Sequence, residues 1–441
     1  MDNIQQWITS QKAIEKSRKF YAHFDNRTDL SKCHNYISDP KNISSHAFYP
    51  FIHYIKDMTK YHRKKGKIPK SRDICYASHI DRCIFQLYSH ILNELYNQEI
   101  KRRGIDSVPV AYRTDLGLNN IQTAKKAIDF IRKQSPCYVI IGDFTGFFDH
   151  LDHQYLKRRW CDLLRVNSLP KDHYVVFKNI TRYNKWELSD LCELNNLEYT
   201  RSGINKLNSK RVVLSKQQFY QYRSHIIKNE NTYGIPQGSP ISAILANLYM
   251  IDVDTEVYKL VSELNGFYMR YSDDFIIVLP RINDNLCIHT IEQIKQLFND
   301  TTGITLETSK TQYYIYDNKK ITNCGQLFGN LNHLKDSIDF LGFSFDGNKV
   351  SIRPKTITKY YNRMYRKAKT IRKNKGYTKY GTKISKRNLY ERYSIKGANG
   401  KRGNFLTYVE RAKRGFGSNE SIDKSTKNHM QKIKKAIKSK E

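Results

Sequence analysis

Two adjacent aspartates, Asp273 and Asp274, lie between two apolar segments, residues 266–270 and 275–279. The β-branched and aromatic residues on both sides predict a β-hairpin whose tip carries the two carboxylates. Neighbouring carboxylates repel each other, and ionised groups resist burial beside apolar strands. A hard divalent cation such as Mg²⁺ binds carboxylate oxygens and would relieve both effects. The pattern therefore indicates a metal site, with a solvent-facing Asp-Asp turn as the alternative.

A third aspartate, Asp143, follows the apolar run 137–142, which predicts a buried strand. A carboxylate at the end of such a strand is either part of a functional site or the N-cap of a following helix. Residues 234–240, Gly-Ile-Pro-Gln-Gly-Ser-Pro, precede an apolar stripe of helical spacing. We expect Ser239 to cap this helix and Pro240 to occupy its first position. The two glycines would let the backbone approach a bound group, such as a base pair or sugar.

The three aspartates and the glycine-bracketed helix start together predict a two-metal site for phosphoryl transfer. Two ions ~3.5–4 Å apart would contact the attacking and leaving oxygens of an in-line displacement. This chemistry needs charge neutralisation and positioning more than it needs a nucleophilic side chain.

The elements that would position these residues follow from apolar spacing. Helical spacing predicts helices at residues 48–61, 84–95, 121–131, 291–298 and 357–373. A second hairpin is expected at residues 339–347, with Asp346-Gly347 as its turn. Residues 151–233 are polar and mixed, and we interpret them as an insertion.

Basic residues form a run from 60 to 70, followed by Arg72. Guanidinium groups match phosphate oxygens in a bidentate geometry, so Lys70 and Arg72 could clamp phosphates. A solvated basic loop is the alternative.

The formal net charge of the 441-residue chain is +34, and residues 351–441 hold 28 Lys/Arg against 5 Asp/Glu. The length predicts two or three domains. Such a concentration of positive charge favours binding to a polyanion. Nucleic acid is the first candidate partner, and an anionic membrane surface is the second. Aromatic residues among the charges, and the lack of a long apolar face, favour nucleic acid.

Targeting and redox signals are absent from the sequence. No apolar run reaches the ~20 residues of a spanning helix, and residues 1–7 lack the form of a signal peptide. We therefore expect a cytoplasmic protein with no membrane partner. The eight cysteines show no zinc-ligand spacing, which predicts reduced thiols.

In their order along the chain, these motifs resemble those of the reverse transcriptase family. The resemblance is to its bacterial branch, shared by retrons, group II intron enzymes and defence-associated reverse transcriptases. It runs from about residue 48 to 346. The matching segments are 70–82 and 111–113 for the fingers, 143–149, 234–240 and 271–274 for the first three palm motifs, 303–310 for the next motif, and 340–343 for the primer-grip hairpin.

The resemblance implies an α+β fold, the right-hand polymerase, with fingers, a palm of antiparallel sheet and helices, and an α-helical basic thumb. The implied division is an N-terminal extension (1–47), fingers (48–135), palm (136–346, with the insertion at about 151–233), and thumb with C-terminal tail (347–441).

The resemblance also implies roles for the acidic motifs. Asp143, Asp273 and Asp274 would hold two Mg²⁺ ions, with Mn²⁺ as a substitute and the Phe144 backbone carbonyl as a further ligand. Asp274 is the least certain direct ligand, because the second aspartate of this family can lie further from the ions. Phe148 would be the gate that excludes a 2′-hydroxyl by volume, or else a core residue.

The remaining implied roles concern the nucleotide and the primer. Gln237 and Gly238 would line the nascent base pair, and Lys70 and Arg72 would contact the triphosphate. Lys310 would protonate the pyrophosphate leaving group, or else be an exposed lysine. The primer grip would consist of Phe340, Leu341, Gly342 and Phe343.

Departures from the family pattern narrow the subgroup. Ser272 stands where intron and retron enzymes usually carry Ala, no retron signature is visible, and the five acids after residue 350 are too few for an RNase H cluster. The remaining profile resembles the unknown group of bacterial reverse transcriptases, many of which act in antiphage defence.

The leading hypothesis is an RNA-directed DNA polymerase. It would use dNTPs to copy a structured non-coding RNA into DNA, with a second copy of the chain or an accessory protein as further partners. Three alternatives stay open: untemplated or protein-primed DNA synthesis, a non-catalytic RNA-binding scaffold, and an RNA-dependent RNA polymerase.

Overall fold

The computed structural model describes residues 2–62, 66–113, 115–330, 335–373, 377, 386–400 and 403–438. In chain order its strands are β1 (Phe51–Ile55), β2 (Met58–His62), β3 (Gly66–Lys70), β4 (Asp73–Tyr76), β5 (Cys137–Asp143), β6 (Asn184–Glu187), β7 (Ile227–Lys228), β8 (Phe267–Tyr271), β9 (Asp274–Pro280), β10 (Gln312–Asp317), β11 (Lys320–Asn323), β12 (Ile338–Phe340), β13 (Phe343–Phe345) and β14 (Val350–Ile352). Its α-helices are α1 (Asp2–Ile8), α2 (Gln11–Ser17), α3 (Leu30–Ile37), α4 (Pro40–Ser44), α5 (His79–Arg102), α6 (Asn120–Lys133), α7 (His153–Leu164), α8 (Lys171–Thr181), α9 (Leu188–Glu193), α10 (Arg201–Ser209), α11 (Lys216–Gln221), α12 (Ser242–Tyr249), α13 (Ile251–Glu263), α14 (Asp284–Asp300), α15 (Pro354–Lys373), α16 (Lys386–Tyr393), α17 (Ile395–Ala398), α18 (Phe405–Phe416) and α19 (His429–Lys438).

A central antiparallel sheet has the strand order β11-β10-β5-β9-β8. Alternate residues of β5 face two different cores: Tyr138 and Ile140 join the helices α5 and α12 to α14, whereas Val139 and Ile141 join α6 and the strands β12 to β14. Burial on both faces explains why residues 137–142 form a continuous apolar run. The predicted buried strand and the hairpin of β8 and β9 are confirmed.

A second sheet, here called the side sheet, has the order β4-β1-β6-β7, and β2 pairs with β3 as a separate ribbon. The helix predicted at residues 48–61 is wrong, because this stretch forms β1 and β2. Helical spacing of its apolar residues is outweighed by strand pairing, since β1 binds β4 on one side and β6 on the other. Residues 63–65 of the predicted basic run lie outside the described residues.

Residues 151–233 contribute directly to the side sheet. Strand β6 lies parallel to β1, and its Trp186 is fully buried in a core with Phe24 and Ile52. Helices α7 and α8 of the same segment pack on α12, α5 and α4. The segment therefore joins the side sheet to α4, α5 and α12, whose core also contains one face of the central sheet.

The remaining helix predictions, at 84–95, 121–131, 291–298 and 357–373, are confirmed within α5, α6, α14 and α15. The hairpin expected at 339–347 is a three-stranded meander of β12, β13 and β14. Leu341 and Gly342 form the turn between β12 and β13, and both have positive φ. Asp346-Gly347 instead lies in the turn between β13 and β14.

The C-terminal helices α15, α16 and α19 pack around a small core that includes Met364, Leu389 and Ile433. Helix α18 instead packs on the meander, with the Phe416 ring 4.7 Å from that of Phe343. Within the described parts of the chain, every helix is too short or too polar to cross a bilayer.

Candidate active site

The three predicted carboxylates converge at one end of the central sheet. Asp143 is the last residue of β5 and lies directly opposite Asp274, the first residue of β9. Asp273 occupies the turn between β8 and β9, next to Ser272, whose φ is +64°. Asp143 is therefore a strand end rather than a helix N-cap, which excludes that alternative.

The pKa values of Asp274 and Asp143 are raised at this end of the sheet. Burial, followed by the charges of Asp273 and Asp143, raises the pKa of Asp274 to about 7. Asp274 is exposed at the end of its strand, and the protein atoms crowded around its carboxyl group are the larger cause of the raised pKa. Burial also raises the pKa of Asp143, and Asp273 and Glu307 add to this, although Lys310 opposes it.

Lys310 is the cation nearest to these acids. Its Nζ lies 2.6 Å from Asp143 Oδ2 and 3.6 Å from Glu307 Oε2. Glu307 is fixed at the site, because its backbone N–H donates to the Asp143 carbonyl at 2.8 Å and its carboxylate accepts from Thr145 Oγ1 at 3.2 Å. Lys310 thus lies between two carboxylates, one at the end of β5 and one in the loop before β10.

The residues present fit a divalent metal ion. Asp143 Oδ1 is buried and accepts no hydrogen bond from any residue that the structure describes, although the other oxygen of this carboxylate binds Lys310. The mutual repulsion of the three aspartates is the other sign of an acidic site built for a cation. In the part of the chain that the structure describes, no three acidic, His or Cys side chains already enclose a common point. Lys310 is the counter-cation of Asp143.

A buried network that the sequence analysis missed supports the aspartate turn. Arg270 and Asp254 have fully buried side chains and form an ion pair at 2.6 Å. Arg270 also donates to the Ser272 carbonyl at 3.0 Å, and the Tyr268 hydroxyl donates to Asp254 at 2.8 Å. A single arginine inside an apolar hairpin was the available signal, because a buried guanidinium requires a partner.

Tyr112 contacts the same turn from the segment between α5 and α6. Its hydroxyl lies 3.0 Å from Ser272 Oγ, and its φ is +64°, which is uncommon for a residue with a large side chain. The neighbouring Arg113 has a fully buried side chain and pairs with Asp106 and Asp115. These ion pairs anchor Tyr112 against the turn.

Residues 234–240 connect the carboxylate end of β5 to the side sheet. The Ile235 N–H donates to the Phe148 carbonyl at 2.9 Å, and the Cys75 N–H donates to the Gln237 carbonyl at 2.8 Å. The Gln237 side chain lies 3.4 Å from Asp149 Oδ1. Phe148 is half-buried, with its ring 5.6 Å from that of Phe147.

The structure gives the two glycines of residues 234–240 a contact within the protein and corrects the expected helix cap. The glycines approach protein backbone: a Cβ on Gly234 would lie 2.9 Å from the Asp149 carbonyl oxygen, and one on Gly238 2.4 Å from that of Cys75. Ser239 does not cap the helix and Pro240 is not its first residue, because α12 begins at Ser242. Among the described residues, none makes a hydrogen bond to the buried Ser239 hydroxyl. An N-cap needs extended backbone, whereas the residue before α12 is already helical.

The other predicted residues lie at the edges of the site. Lys70 ends β3, and Arg72 exchanges two backbone hydrogen bonds with Lys56; both side chains are exposed. The structure does not bring them into contact with the carboxylates.

In the hairpin that the resemblance assigns to the primer grip, Phe340 and Phe343 are buried, and the turn is held from both sides. Asn120 of α6 donates to the Leu341 carbonyl at 3.1 Å. The Arg353 N–H donates to the Gly342 carbonyl at 3.0 Å.

Comparison with known proteins gives an independent line of evidence. A family described as reverse transcriptase (RNA-dependent DNA polymerase) matches residues 62–345. No curated protein sequence matches the chain.

Similar solved structures include three telomerases. Apo telomerase from Candida tropicalis truncated from its C-terminal domain shares 14% identity at a TM-score of 0.41, covering 68% of this chain and 54% of that one. Telomerase from Candida albicans, in complex with a TWJ fragment of telomeric RNA, shares 14% identity at 0.40, covering 92% and 65%. Apo telomerase from Candida tropicalis shares 13% identity at 0.38, covering 95% and 73%. The chain spans about half the length of the first of these proteins.

Proposed function

The chain belongs to the reverse transcriptase family, and on this premise we propose that it is an RNA-directed DNA polymerase that copies a bound RNA by two-metal nucleotidyl transfer. The observation that carries the proposal is the convergence of Asp143, Asp273 and Asp274, with a buried Asp143 oxygen to which no described residue donates a hydrogen bond. The division into fingers, palm and thumb is part of the same proposal.

In this proposal Asp143, Asp273 and Asp274 hold two Mg²⁺ ions, with the Phe144 carbonyl as a further ligand and Mn²⁺ as a substitute. The bound ions would neutralise the triphosphate and contact the attacking and leaving oxygens. Arg270 and Tyr112 hold the turn that presents Asp273, since both bind Ser272. Preorganised carboxylates spare the reaction the free energy of assembling the site.

The incoming dNTP would lie between the carboxylates and the side sheet. Phe148 would exclude a ribose 2′-hydroxyl by volume, and Gln237 and Gly238 would line the new base pair. Lys70 and Arg72 would reach the triphosphate from the exposed end of the β2–β3 ribbon. The Phe340–Phe343 turn would hold the primer strand, supported by its hydrogen bonds to Asn120 and Arg353.

Lys310 would act beside the metal site. Its Nζ lies 2.6 Å from Asp143 and 3.6 Å from Glu307, so it can pair with Glu307 when Asp143 is engaged as a metal ligand. From there its ammonium group can donate a proton to the pyrophosphate leaving group. Burial lowers the pKa of Lys310, but the nearby Asp143 and Glu307 carboxylates raise it by more, which keeps the ammonium group protonated.

Primer extension tests the proposal directly. The full chain is given a DNA primer on an RNA template, all four dNTPs and Mg²⁺. We expect DNA synthesis that RNase pretreatment of the template prevents. The Asp273→Ala/Asp274→Ala variant should lose it, and an exposed-acid control, Asp300→Ala, should retain it.

Two outcomes would favour the alternatives. Products that persist after RNase treatment favour untemplated or protein-primed synthesis. Nucleic-acid binding with no synthesis in the wild-type protein contradicts the polymerase and favours the scaffold.

The finer biological role that we propose is antiphage defence with a dedicated structured non-coding RNA as template. Its support is the resemblance of the motifs to the unknown group of bacterial reverse transcriptases. Sequencing the RNA and DNA that copurify with the chain tests the template. Phage plating on cells that carry wild-type or Asp273→Ala/Asp274→Ala protein tests the defence role, and equal plating on both contradicts it.

A further inference from the structure

Asn120, the first residue of α6, binds two other elements through one side-chain amide. Its Nδ2 group donates to the Leu341 carbonyl at 3.1 Å and to the Tyr408 hydroxyl at 2.9 Å. Leu341 belongs to the turn between β12 and β13, and Tyr408 lies in α18. An amide nitrogen carries two hydrogens, so one side chain can bind both acceptors at once. The turn and α18 are therefore joined at the start of α6.

The helix α6 does not need the Asn120 side chain for its own N-terminus. Its N-cap is Asn119, whose side chain accepts from the Ile121 N–H at 2.9 Å, and Gln122 completes the capping box. These contacts satisfy the first turn of the helix. A substitution of Asn120 therefore removes the contacts to the turn and to α18 and leaves the cap in place.

Helix α18 packs closely on the first turn of α6. Ala412 and Phe416 share a buried core with Ile121. A Cβ on Gly415 would lie 2.9 Å from Ile121 Cγ2, so the glycine lets the two helices approach each other. Tyr408 precedes Ala412 by about one helical turn and lies on the same side of α18. The apolar contacts thus set the distance at which the Tyr408 hydroxyl meets α6.

The turn between β12 and β13 has a backbone that requires support. Leu341 has a φ of +43°, which is uncommon for a residue with a side chain, and Gly342 follows with a φ of +93°. Such a conformation persists where the surrounding structure holds it. The bond from Asn120 to the Leu341 carbonyl supplies part of this support, and a Cβ on Gly342 would lie 3.8 Å from the Tyr408 hydroxyl.

We propose that Asn120 is a positioning residue that couples the Leu341–Gly342 turn to α18, and that this coupling keeps the turn on the primer strand through successive nucleotide additions. The inference rests on the proposed function, which assigns the turn to the primer. Loss of the coupling should act mainly on dissociation of the strand, the step that most interface substitutions change. Among the described residues, the Asn120 side chain forms hydrogen bonds only with Leu341 and Tyr408, so the carboxylates of the site are not its partners.

Hydrogen exchange on the full chain, followed by mass spectrometry, tests the coupling without catalysis. Asn120→Ala removes both bonds, and Tyr408→Phe removes only the bond to α18. In both variants we expect exchange in the Leu341–Gly342 turn and in the first turn of α18 to become roughly two- to tenfold faster, the range for loss of one hydrogen bond. Gln134→Ala is the control, because this amide at the other end of α6 contacts the Asn265 carbonyl at 3.4 Å, and both segments should then be unchanged. Unchanged exchange of the turn in Tyr408→Phe overturns the coupling.

Primer extension with an excess of unlabelled primer–template as a trap measures the number of nucleotides added in one binding event. We expect this number to fall roughly two- to tenfold in Asn120→Ala and in Tyr408→Phe, and the rate of the first addition to fall less. The double variant should be no worse than Asn120→Ala, since the two residues act through one bond. Additive losses in the double variant, or equal losses in the first addition and in the number added, overturn the proposal. A wild-type protein that extends no primer contradicts the proposed function, whereas the exchange experiment still decides whether the coupling exists.

Discussion

At the residue scale, Phe148 is the side chain whose volume should decide the sugar. Its backbone is fixed by the hydrogen bond from Ile235, while its ring is only half-buried. We expect Phe148→Ala to narrow the preference for dNTPs over rNTPs by roughly 10- to 100-fold. The measurement is the ratio of kcat/KM for dNTPs and rNTPs on one template.

Phe130→Ala, which removes a half-buried ring on α6, is the control for general loss of packing. An unchanged ratio in Phe148→Ala would favour an RNA-dependent RNA polymerase over the DNA polymerase.

Replacement of Lys310 should strengthen metal binding but slow nucleotide addition. Lys310→Met removes the cation that neutralises Asp143 at 2.6 Å, so Mn²⁺ binding followed by electron paramagnetic resonance should become tighter. The same change should lower the rate of nucleotide addition by about 10²- to 10⁴-fold, the range expected for loss of a general acid. Lys320→Met, at an exposed position on β11, should change neither. Weaker Mn²⁺ binding in Lys310→Met would contradict the counter-cation role.

At the element scale, the hairpin of β8 and β9 depends on the buried pair of Arg270 and Asp254. Arg270→Met leaves Asp254 buried without its partner, and we expect a loss of about 3–5 kcal/mol in the free energy of unfolding. Arg281 and Asp284, at the other end of β9, form an exposed pair at 2.7 Å. Arg281→Met should cost at most about 1 kcal/mol. Urea unfolding measures both, and equal losses would mean that the buried network does not stabilise the turn.

The segment before β1 should make the stability of the protein depend on pH. His23 is fully buried beside Tyr76 of β4, and burial lowers its pKa to about 3. The unfolded chain binds this proton near pH 6.5. The stability that the protein gains from keeping His23 neutral is therefore fully present above pH 6.5, and it is lost as the pH falls from there toward 3.

His23→Gln should flatten the fall in Tm between pH 7 and pH 5, and the exposed His289→Gln should leave it unchanged. An unchanged pH dependence in His23→Gln would show that other groups control acid unfolding.

Local patterns predicted the strands that end at Asp143 and begin at Asp274, because continuous apolar runs and turn residues are short-range signals. Partners distant in the chain could not be predicted. Glu307 binds the Asp143 carbonyl from 164 residues away, and β1 pairs with a strand about 130 residues later. When the pairing with that strand is not known, the apolar spacing at residues 48–61 predicts a helix.

At the scale of the whole molecule, the net charge of +34 should dominate affinity for nucleic acid. A surface that contacts six or more phosphates loses about 10³-fold or more in affinity between roughly 50 and 200 mM salt. Fluorescence anisotropy with a labelled RNA–DNA primer–template measures this slope. A shallow slope would mean that base and aromatic contacts supply most of the affinity.

The parallel pairing of β1 with β6 has a consequence for descent and for engineering. The side sheet is assembled from two stretches of chain, one before β5 and one between the Asp143 and Gly238 motifs. Relatives therefore cannot exchange this lobe as one cassette, since a graft of residues 48–135 alone would arrive without the strand that pairs with its centre. Recombination that preserves folding must move residues 48–82 and 151–233 together, so the two stretches are expected to be inherited as a unit.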